Sequence, residues 1–447
     1  MSIFDDKRLT NEAFKLDVER MRRGWYSDKY FENINRMLTV LSAEGYTFSG
    51  KHHNLHRGHS PENIPAGDIE VEMQWFTRRP GTSIVVGVDK ALAMLKQCTG
   101  YFDGDKFIDT SVRTEVWAVQ DGCTVTYDGD PANVQPVLRV RGRYRDFAML
   151  ETPTLGILTR SSRVATNVYE TLVAARGKPV LFFPARFDLH EVQAADGYAY
   201  NIAVQRFNLD HEKDLGPFIS TDAQGDWWGG AGGGTVAHAA IAAFLGDTAE
   251  AMLQFARVLP PSIPRIALVD FNNDSVRDSI YVLNTLFAKY RELVDAGHQE
   301  EAAKYKLYGV RLDTSGNIRD ISVPPLGESE LDLGVTPRLV FNVRKALDSA
   351  WEHWNLPESW ESAAKEFCRN VKIVVSGGFN PAKIRKFEHL GVPVDIYAVG
   401  SYLFNNNGLT VTDFTADVVR VKVHGEWVNM AKVGRNPCDN PNLERVW

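Results

Sequence analysis

The sequence predicts an α/β protein built mainly as a barrel of parallel strands with covering helices, preceded by a first domain of different character. Three observations carry this. From Glu151 onward, strand-like and helix-like segments alternate, which argues for parallel strands under helices. Late in the chain, residues 308–316 (Tyr-Gly-Val-Arg-Leu-Asp-Thr-Ser-Gly), 374–379 (Val-Val-Ser-Gly-Gly-Phe) and 398–401 (Ala-Val-Gly-Ser) are apolar runs that stop at small or charged residues, and 232–238 (Gly-Gly-Gly-Thr-Val-Ala-His) is a Gly-rich strand end closed by a histidine. Strands of an α/β barrel have this look where their carboxyl ends form a site. Finally, 447 residues are too many for one simple core.

The first domain, residues 1–150, reads as one or two helices followed by strands. Residues 14–21 and 31–44 have helical apolar spacing. Val71, Met73 and Trp75 alternate with Glu70, Glu72 and Gln74, which predicts a half-buried strand. Residues 112–118, 124–127 and 137–140 read as further strands, with turns at Gly122 and Asp128-Gly129-Asp130-Pro131. An antiparallel or mixed sheet follows from this pattern.

The second domain, residues 151–405, opens with a helix over 161–176, stopped by Gly177. Strands are predicted at 180–184, 235–244, 265–270, 307–312, 371–375 and 394–399. Helices are predicted over 280–296, from the Thr336-Pro337 cap to about 354, and from the Asn380-Pro381 cap to Gly391. The tail, residues 406–447, returns to strand character over 410–430 and is expected to rejoin the first domain.

Composition excludes several classes. An apolar fraction of 44% and a charged fraction of 24% are those of a soluble globular protein. The net charge of −7 and the lack of a long basic run argue against a nucleic-acid partner. The first ten residues lack the apolar core of a secretory signal. The longest apolar stretch, 236–245, is too short to span a bilayer and contains His238. Cys98, Cys123, Cys368 and Cys438 are scattered without a Cys-x-x-Cys, so neither a zinc knuckle nor a disulfide framework is indicated. A cytoplasmic location without membrane contact is the expectation.

The residues able to carry chemistry lie at strand ends. Gly377-Gly378 and Gly400-Ser401 close consecutive strands, and a helix begins at Asn380. Such loops bind phosphate through backbone N–H groups and a helix N-terminus; the competing reading is a pair of tight turns. His238 is a candidate base, metal ligand or phosphoryl acceptor, or a satisfied core histidine. Arg311 and Asp313 flank Leu312, and such charges need a ligand or each other. Arg311 suits a carboxylate or phosphate; Asp313 suits Mg²⁺ through water or a sugar hydroxyl. Asp270 is a second candidate carboxylate, whereas Asp274 reads as surface. Arg160, Arg163 and Arg186 are basic candidates for an anionic substrate, with Arg160 better read as a solvated helix start. Residues 51–59 hold four of the eleven histidines, but without the periodicity that fixes metal ligands they read as a polar loop. Trp227-Trp228 would lid the site or fill an interface.

Taken in order, these segments resemble nicotinate phosphoribosyltransferase, and particularly its archaeal-type branch among the type II phosphoribosyltransferases. The likeness runs from Ser27-Asp28-Lys29-Tyr30-Phe31 through Pro136-Val137-Leu138-Arg139-Val140, Glu151-Thr152 and Val164-Ala165-Thr166. It continues through Gly234-Thr235-Val236-Ala237-His238, Gly309-Val310-Arg311-Leu312-Asp313-Thr314, Ser376-Gly377-Gly378 and Val399-Gly400-Ser401. The resemblance implies an α/β sandwich domain, completed by the C-terminal segment, beside an irregular α/β barrel. It implies transfer of phosphoribosyl from phosphoribosyl pyrophosphate to nicotinate, coupled to ATP hydrolysis through a phosphohistidine at His238, in NAD biosynthesis. Tyr30 would stack on the pyridine, and Thr235 and Arg311 would lie at the nicotinate site. Ser376, Gly377, Gly378, Gly400 and Ser401 would hold the 5′-phosphate. Asp313, with Asp270, would support Mg²⁺-pyrophosphate or the ribose. A homodimer or higher homo-oligomer is implied. Phe187 stands after Arg186 where the family usually has a second arginine, the stretch 218–230 is unlike the common pattern, and a C-terminal cysteine cluster is absent. The alternatives are a relative using nicotinamide or quinolinate, or a barrel that binds phosphate without turnover.

Overall fold

A computed structural model describes residues 7–50 and 59–447. The first unit contains helix α1 (Lys29–Ala43), strand β1 (Glu70–Thr77), helix α2 (Val88–Cys98) and strands β2 (Glu115–Ala118) and β3 (Leu138–Arg143). The predicted helix over 14–21 is two short pieces, Asn11–Phe14 and Val18–Arg22, separated at Lys15 with φ 50°. The second piece restarts on Asp17, whose carboxylate accepts from the Arg20 N–H. The predicted strand over 112–118 begins only at Glu115, after a 3-10 turn at Ser111–Arg113.

β1 is buried on both faces, where alternation predicts one polar face. The reason is charge pairing. Glu72 is fully buried, accepts from Arg141 Nε at 2.6 Å and also meets Arg420 and Arg139. Gln74 exchanges hydrogen bonds with Asn436 O (2.9 Å) and the Cys438 N–H (3.1 Å). A polar face is thus covered by groups that satisfy it, as burial requires.

Helix α3 (Glu151–Ala174) starts ten residues before the predicted 161. Its buried face ties the two halves together. Thr154 Oγ1 accepts from the Trp75 indole at 3.1 Å, Ser162 Oγ from Val86 N–H at 3.0 Å, and Thr166 Oγ1 from Ile84 N–H at 3.0 Å. From the same helix Asn167 donates to Leu403 O at 3.2 Å.

Glu151, the first residue of α3, is half-buried. Burial above all, with the negative charges of Asp417 and Asp28, pushes its carboxyl from 4.5 up to about 8. A raised pKa favours the fold most below the ordinary value and loses that contribution as pH climbs through the folded one. Glu151→Gln is therefore expected to gain stability relative to the parent as pH rises from about 5 to about 9. Urea unfolding at both ends of that range checks this; parallel pH profiles for the two proteins would defeat it.

The second unit runs through β4 (Val180–Phe182), α4 (Gln193–His211), α5 (His238–Ala243), β5 (Ile266–Leu268), α6 (Ser275–Asp295), β6 (Gly309–Leu312), α7 (Pro337–Ser349), β7 (Lys372–Val375), α8 (Pro381–His389) and β8 (Ile396–Val399). The five strands are parallel in the order β4-β8-β7-β6-β5. Beyond β4 the curve continues irregularly: Phe182 bridges Ile219 in parallel, and Gly233 N–H donates to Ile219 O at 2.8 Å. Among the described residues no regular ladder joins this segment to β5. The predicted strand at 235–244 is not formed. Gly229, Gly230 and Gly232 to Gly234 leave the approach without side chains to pack, which weakens a strand, and α5 begins at His238.

From the far end of the chain, β9 (Phe414–Val423), β10 (Glu426–Asn429) and β11 (Glu444–Arg445) enter the first sheet. Its order is β10-β9-β1-β3-β2-β11, antiparallel throughout. One core, around Trp75, Leu92, Leu95 and Val140, lies beneath this sheet; a larger one fills the space between the parallel strands and their helices. No helix of the described residues is long and apolar enough to cross a membrane.

Candidate active site

The carboxyl ends of the parallel strands surround a cleft of about 570 Å³. β6 ends with Val310 and Leu312 in the core, so alternation turns Arg311 and Asp313 to the other side, into the cleft. β7 leads to Ser376, whose hydroxyl donates to Asp313 Oδ1 at 2.7 Å. Gly377 (φ 86°) and Gly378 (φ 67°) then turn through the left-handed region that other residues avoid. Asn380 caps α8 by accepting the Lys383 N–H at 2.9 Å, and its carbonyl takes the Ile384 N–H at 2.9 Å; Pro381 carries no N–H, so the Ala382 N–H is the one donor of the first turn left for the loop side. β8 leads to Gly400-Ser401. A Cβ on Gly400 would lie 2.7 Å from the Phe187 ring, so that ring packs over this loop because the position is glycine.

Arg311 is a half-buried guanidinium facing the Phe183 ring at 5.8 Å. Its one hydrogen bond is long, 3.5 Å to Val236 O, and its buried Nε has no partner. Burial lowers its pKa, against the pull of Asp313 and Asp270. The alternative of an Arg311–Asp313 ion pair is not realised: Asp313 is engaged by Ser376, and no carboxylate of the described residues reaches Arg311 as a salt bridge. A desolvated guanidinium left without an anion is suited to receive one from a ligand.

Across the cleft, His238 Nε2 lies 3.1 and 3.2 Å from the two oxygens of Asp270, which follows β5. Burial raises the Asp270 carboxyl, His238 draws it back, and the Asp313 charge pushes it up again. The pairing orients the imidazole with Nε2 on the carboxylate, which leaves Nδ1 as its free nitrogen. His238 is 47% exposed at its side chain, open to a substrate and not a satisfied core histidine.

Arg186, Thr235, Ser401 and the glycines line the same cleft, so the structure gathers ten of the residues singled out from sequence, with Asp270 behind His238. Tyr30 is not among them. On α1 it is Phe31 that turns inward, while Tyr30 is exposed and rests against Phe31 at 4.3 Å. Arg160 lies within α3, not at its start, and is held by Asp196 (2.8 Å) and Asp188 (2.8 Å). Arg163 lies one turn on, outside the cleft lining. Asp274 caps α6 through the Arg277 N–H at 3.1 Å. Trp227 is buried against Phe14 and Tyr198, and Trp228 donates to Gln224 O at 2.8 Å. Both anchor the start of the Gly-rich segment and neither lines the cleft. His52, His53 and His56 lie outside the described residues. Phe183 and Ser220 line the cleft without having been anticipated, and Phe379 was read only as the last residue of the run 374–379; an aromatic at the end of the apolar run before Pro184 was the available signal for Phe183. Among the described residues no group of three His, Cys, Asp or Glu side chains is placed to hold a metal.

Residues 62–162 match the family model described as quinolinate phosphoribosyl transferase, N-terminal domain. Among solved structures, nicotinate-nucleotide pyrophosphorylase from Pyrococcus furiosus is similar over 94% of this chain and 80% of that one, at 22% identity and a TM-score of 0.61. Human nicotinic acid phosphoribosyltransferase is similar over 89% of this chain and 75% of that one, at 14% identity and a TM-score of 0.50. The likeness shows that the chain shares the fold of these two proteins.

Proposed function

We propose that the protein transfers phosphoribosyl from phosphoribosyl pyrophosphate to nicotinate, giving nicotinate mononucleotide and pyrophosphate for NAD biosynthesis, with ATP hydrolysis coupled through His238. The observation that carries the reading is the convergence of Arg311, Asp313, both glycine loops and the His238–Asp270 pair on one cleft. Gly377-Gly378 and Gly400-Ser401 suit the 5′-phosphate, and Arg311, with Thr235 and Arg186, suits the nicotinate carboxylate. Loss of pyrophosphate leaves positive charge on the sugar, which a carboxylate at Asp313 stabilises. Mg²⁺ would be held by Asp313 and Asp270 together with the substrate's own phosphates, the usual way this ion is bound, and when bound it neutralises the leaving group. Nδ1 of His238 is the nitrogen free to accept a phosphoryl group from ATP, while Asp270 stabilises the ring's charge.

Quinolinate is the second reading, favoured by the family match over residues 62–162. The exposed His238 favours nicotinate, because its free Nδ1 has a use in ATP coupling that a base needing no ATP would leave idle. The test is nicotinate mononucleotide formation with Mg²⁺, with and without ATP, in wild type and His238→Ala. Wild type is expected to be stimulated by ATP, and His238→Ala to keep basal turnover while losing the stimulation. Product from quinolinate alone, indifferent to ATP, would transfer the assignment to the second reading.

A further inference from the structure

We propose that Lys383 is a phosphate-binding residue of the cleft, supplying the positive charge that the Gly377-Gly378 loop lacks. The inference rests on the reading of the cleft as a phosphoribosyl site. Lys383 is the third residue of the nine-residue α8, and its own N–H is fixed by the Asn380 cap. The side chain therefore rises from the first turn of the helix beside the loop. Its Nζ lies 3.5 Å from Gly377 O and 4.2 Å from the centre of the Phe379 ring, and both residues line the cleft.

Lys383 as a residue is half-buried, with its Nζ at the edge of the cleft beside the lining residues, and among the described residues it has no carboxylate within ion-pair distance. Lys386, one residue short of a turn further on, does have one: Glu330 at 3.3 Å. Burial first, then the like charge of Lys386, pulls the Lys383 pKa from 10.5 down to about 8. A cation held partly out of water without a counter-ion is disfavoured in the free protein, and a phosphate dianion at the glycine loop relieves that directly. Lysine is a compact charge on a flexible stem. Nζ can therefore leave the weak contact with Gly377 O for a phosphate oxygen held by the loop N–H groups.

The competing role is a strut. Phe379 packs on Phe387 (5.1 Å) and Tyr397 (5.6 Å), and the Lys383 ammonium lies over its ring. Lys383→Met keeps a side chain there and removes the charge, whereas Lys383→Arg keeps the charge. The probe is ribose 5-phosphate, titrated calorimetrically into the full chain and both variants, with melting temperatures recorded. Lys383→Met is expected to bind about tenfold more weakly or worse, the loss of one charge-assisted hydrogen bond. Lys383→Arg is expected to retain most of the affinity, and all three proteins to melt together. In turnover, Lys383→Met should raise KM for phosphoribosyl pyrophosphate with little change in kcat. Equal affinity of Lys383→Met and wild type overturns the proposal. So does an arginine variant that binds no better than the methionine one. Wild type that fails to bind ribose 5-phosphate would instead bring down the phosphoribosyl reading, and this assignment with it.

Discussion

Asp313→Asn is expected to lower kcat by about 10²- to 10³-fold, the range seen when one well-aimed electrostatic group is removed. The side chain stands at the end of β6 facing the cleft, with Oδ1 held by the Ser376 hydroxyl at 2.7 Å. Asparagine keeps an oxygen for that hydrogen bond and nearly the same volume. The variant therefore loses negative charge and little else. In the proposed reaction that charge would offset the positive charge that builds on the sugar as pyrophosphate departs. Steady-state kinetics with saturating nicotinate, ATP and Mg²⁺ checks the prediction, and an unchanged far-ultraviolet spectrum shows the fold intact. A loss smaller than about tenfold would remove Asp313 from the chemistry and leave it a structural partner of Ser376.

The largest stability effect is expected from Gly197→Ala, at about 3 kcal/mol or more, the upper end for forcing atoms into a packed site. Gly197 lies in α4 where the helix crosses the turn Asp222–Gly225. A Cβ there would come within 2.0 Å of Gln224 O and 2.6 Å of Gln224 C and Cα, all of them backbone. The turn cannot retreat. Gln224 Oε1 accepts from Ser220 N–H (2.9 Å) and Thr221 N–H (3.2 Å), and Gln224 O receives the Trp228 indole at 2.8 Å. Gly225 in turn sits so near Gly230 that a Cβ on it would lie 1.8 Å from Gly230 O. The same turn carries the Gly-rich segment to His238, so activity should fall with stability. Gly156→Ala on α3 is the control, because its Cβ would meet nothing within 4 Å; it should be neutral or slightly stabilising. A Gly197→Ala protein with the wild-type urea midpoint would show that the crossing yields.

The parts of the site legible in sequence were those in which local pattern and chemistry coincide. Arg311 and Asp313 share a face because a strand has a period of two. Asn380-Pro381 announces a helix start, and Gly377-Gly378 supplies the turn before it. What sequence could not show is contact between distant residues. The Asp270 partner of His238 lies 32 positions away, and no local rule links them. The irregular path before α5 was misread as strand because Val236 and its alanine neighbours look apolar while the glycines before them carry no period. Helices α2 and α4 went unread for a related reason: α4 is buried for most of its length and so has no polar stripe. Lys383 also went unread, since a lysine in a first helical turn is ordinary until its surroundings are known.

The pairing of β9 with β1 has a consequence for how the chain comes into being. Arg420 reaches Glu72 across 348 positions of sequence. On a ribosome adding about 5–20 residues each second, β1 emerges tens of seconds before its neighbour exists. During that interval one edge of β1 presents unpaired N–H and C=O groups, and the Glu72 carboxylate lacks one of its arginines. An open edge of this kind invites pairing with other chains. The nascent protein is therefore expected to depend on chaperone shielding of its first sheet until the last strands are made, and a chain stopped just before Phe414 should aggregate although the residues of its cleft have all been synthesised.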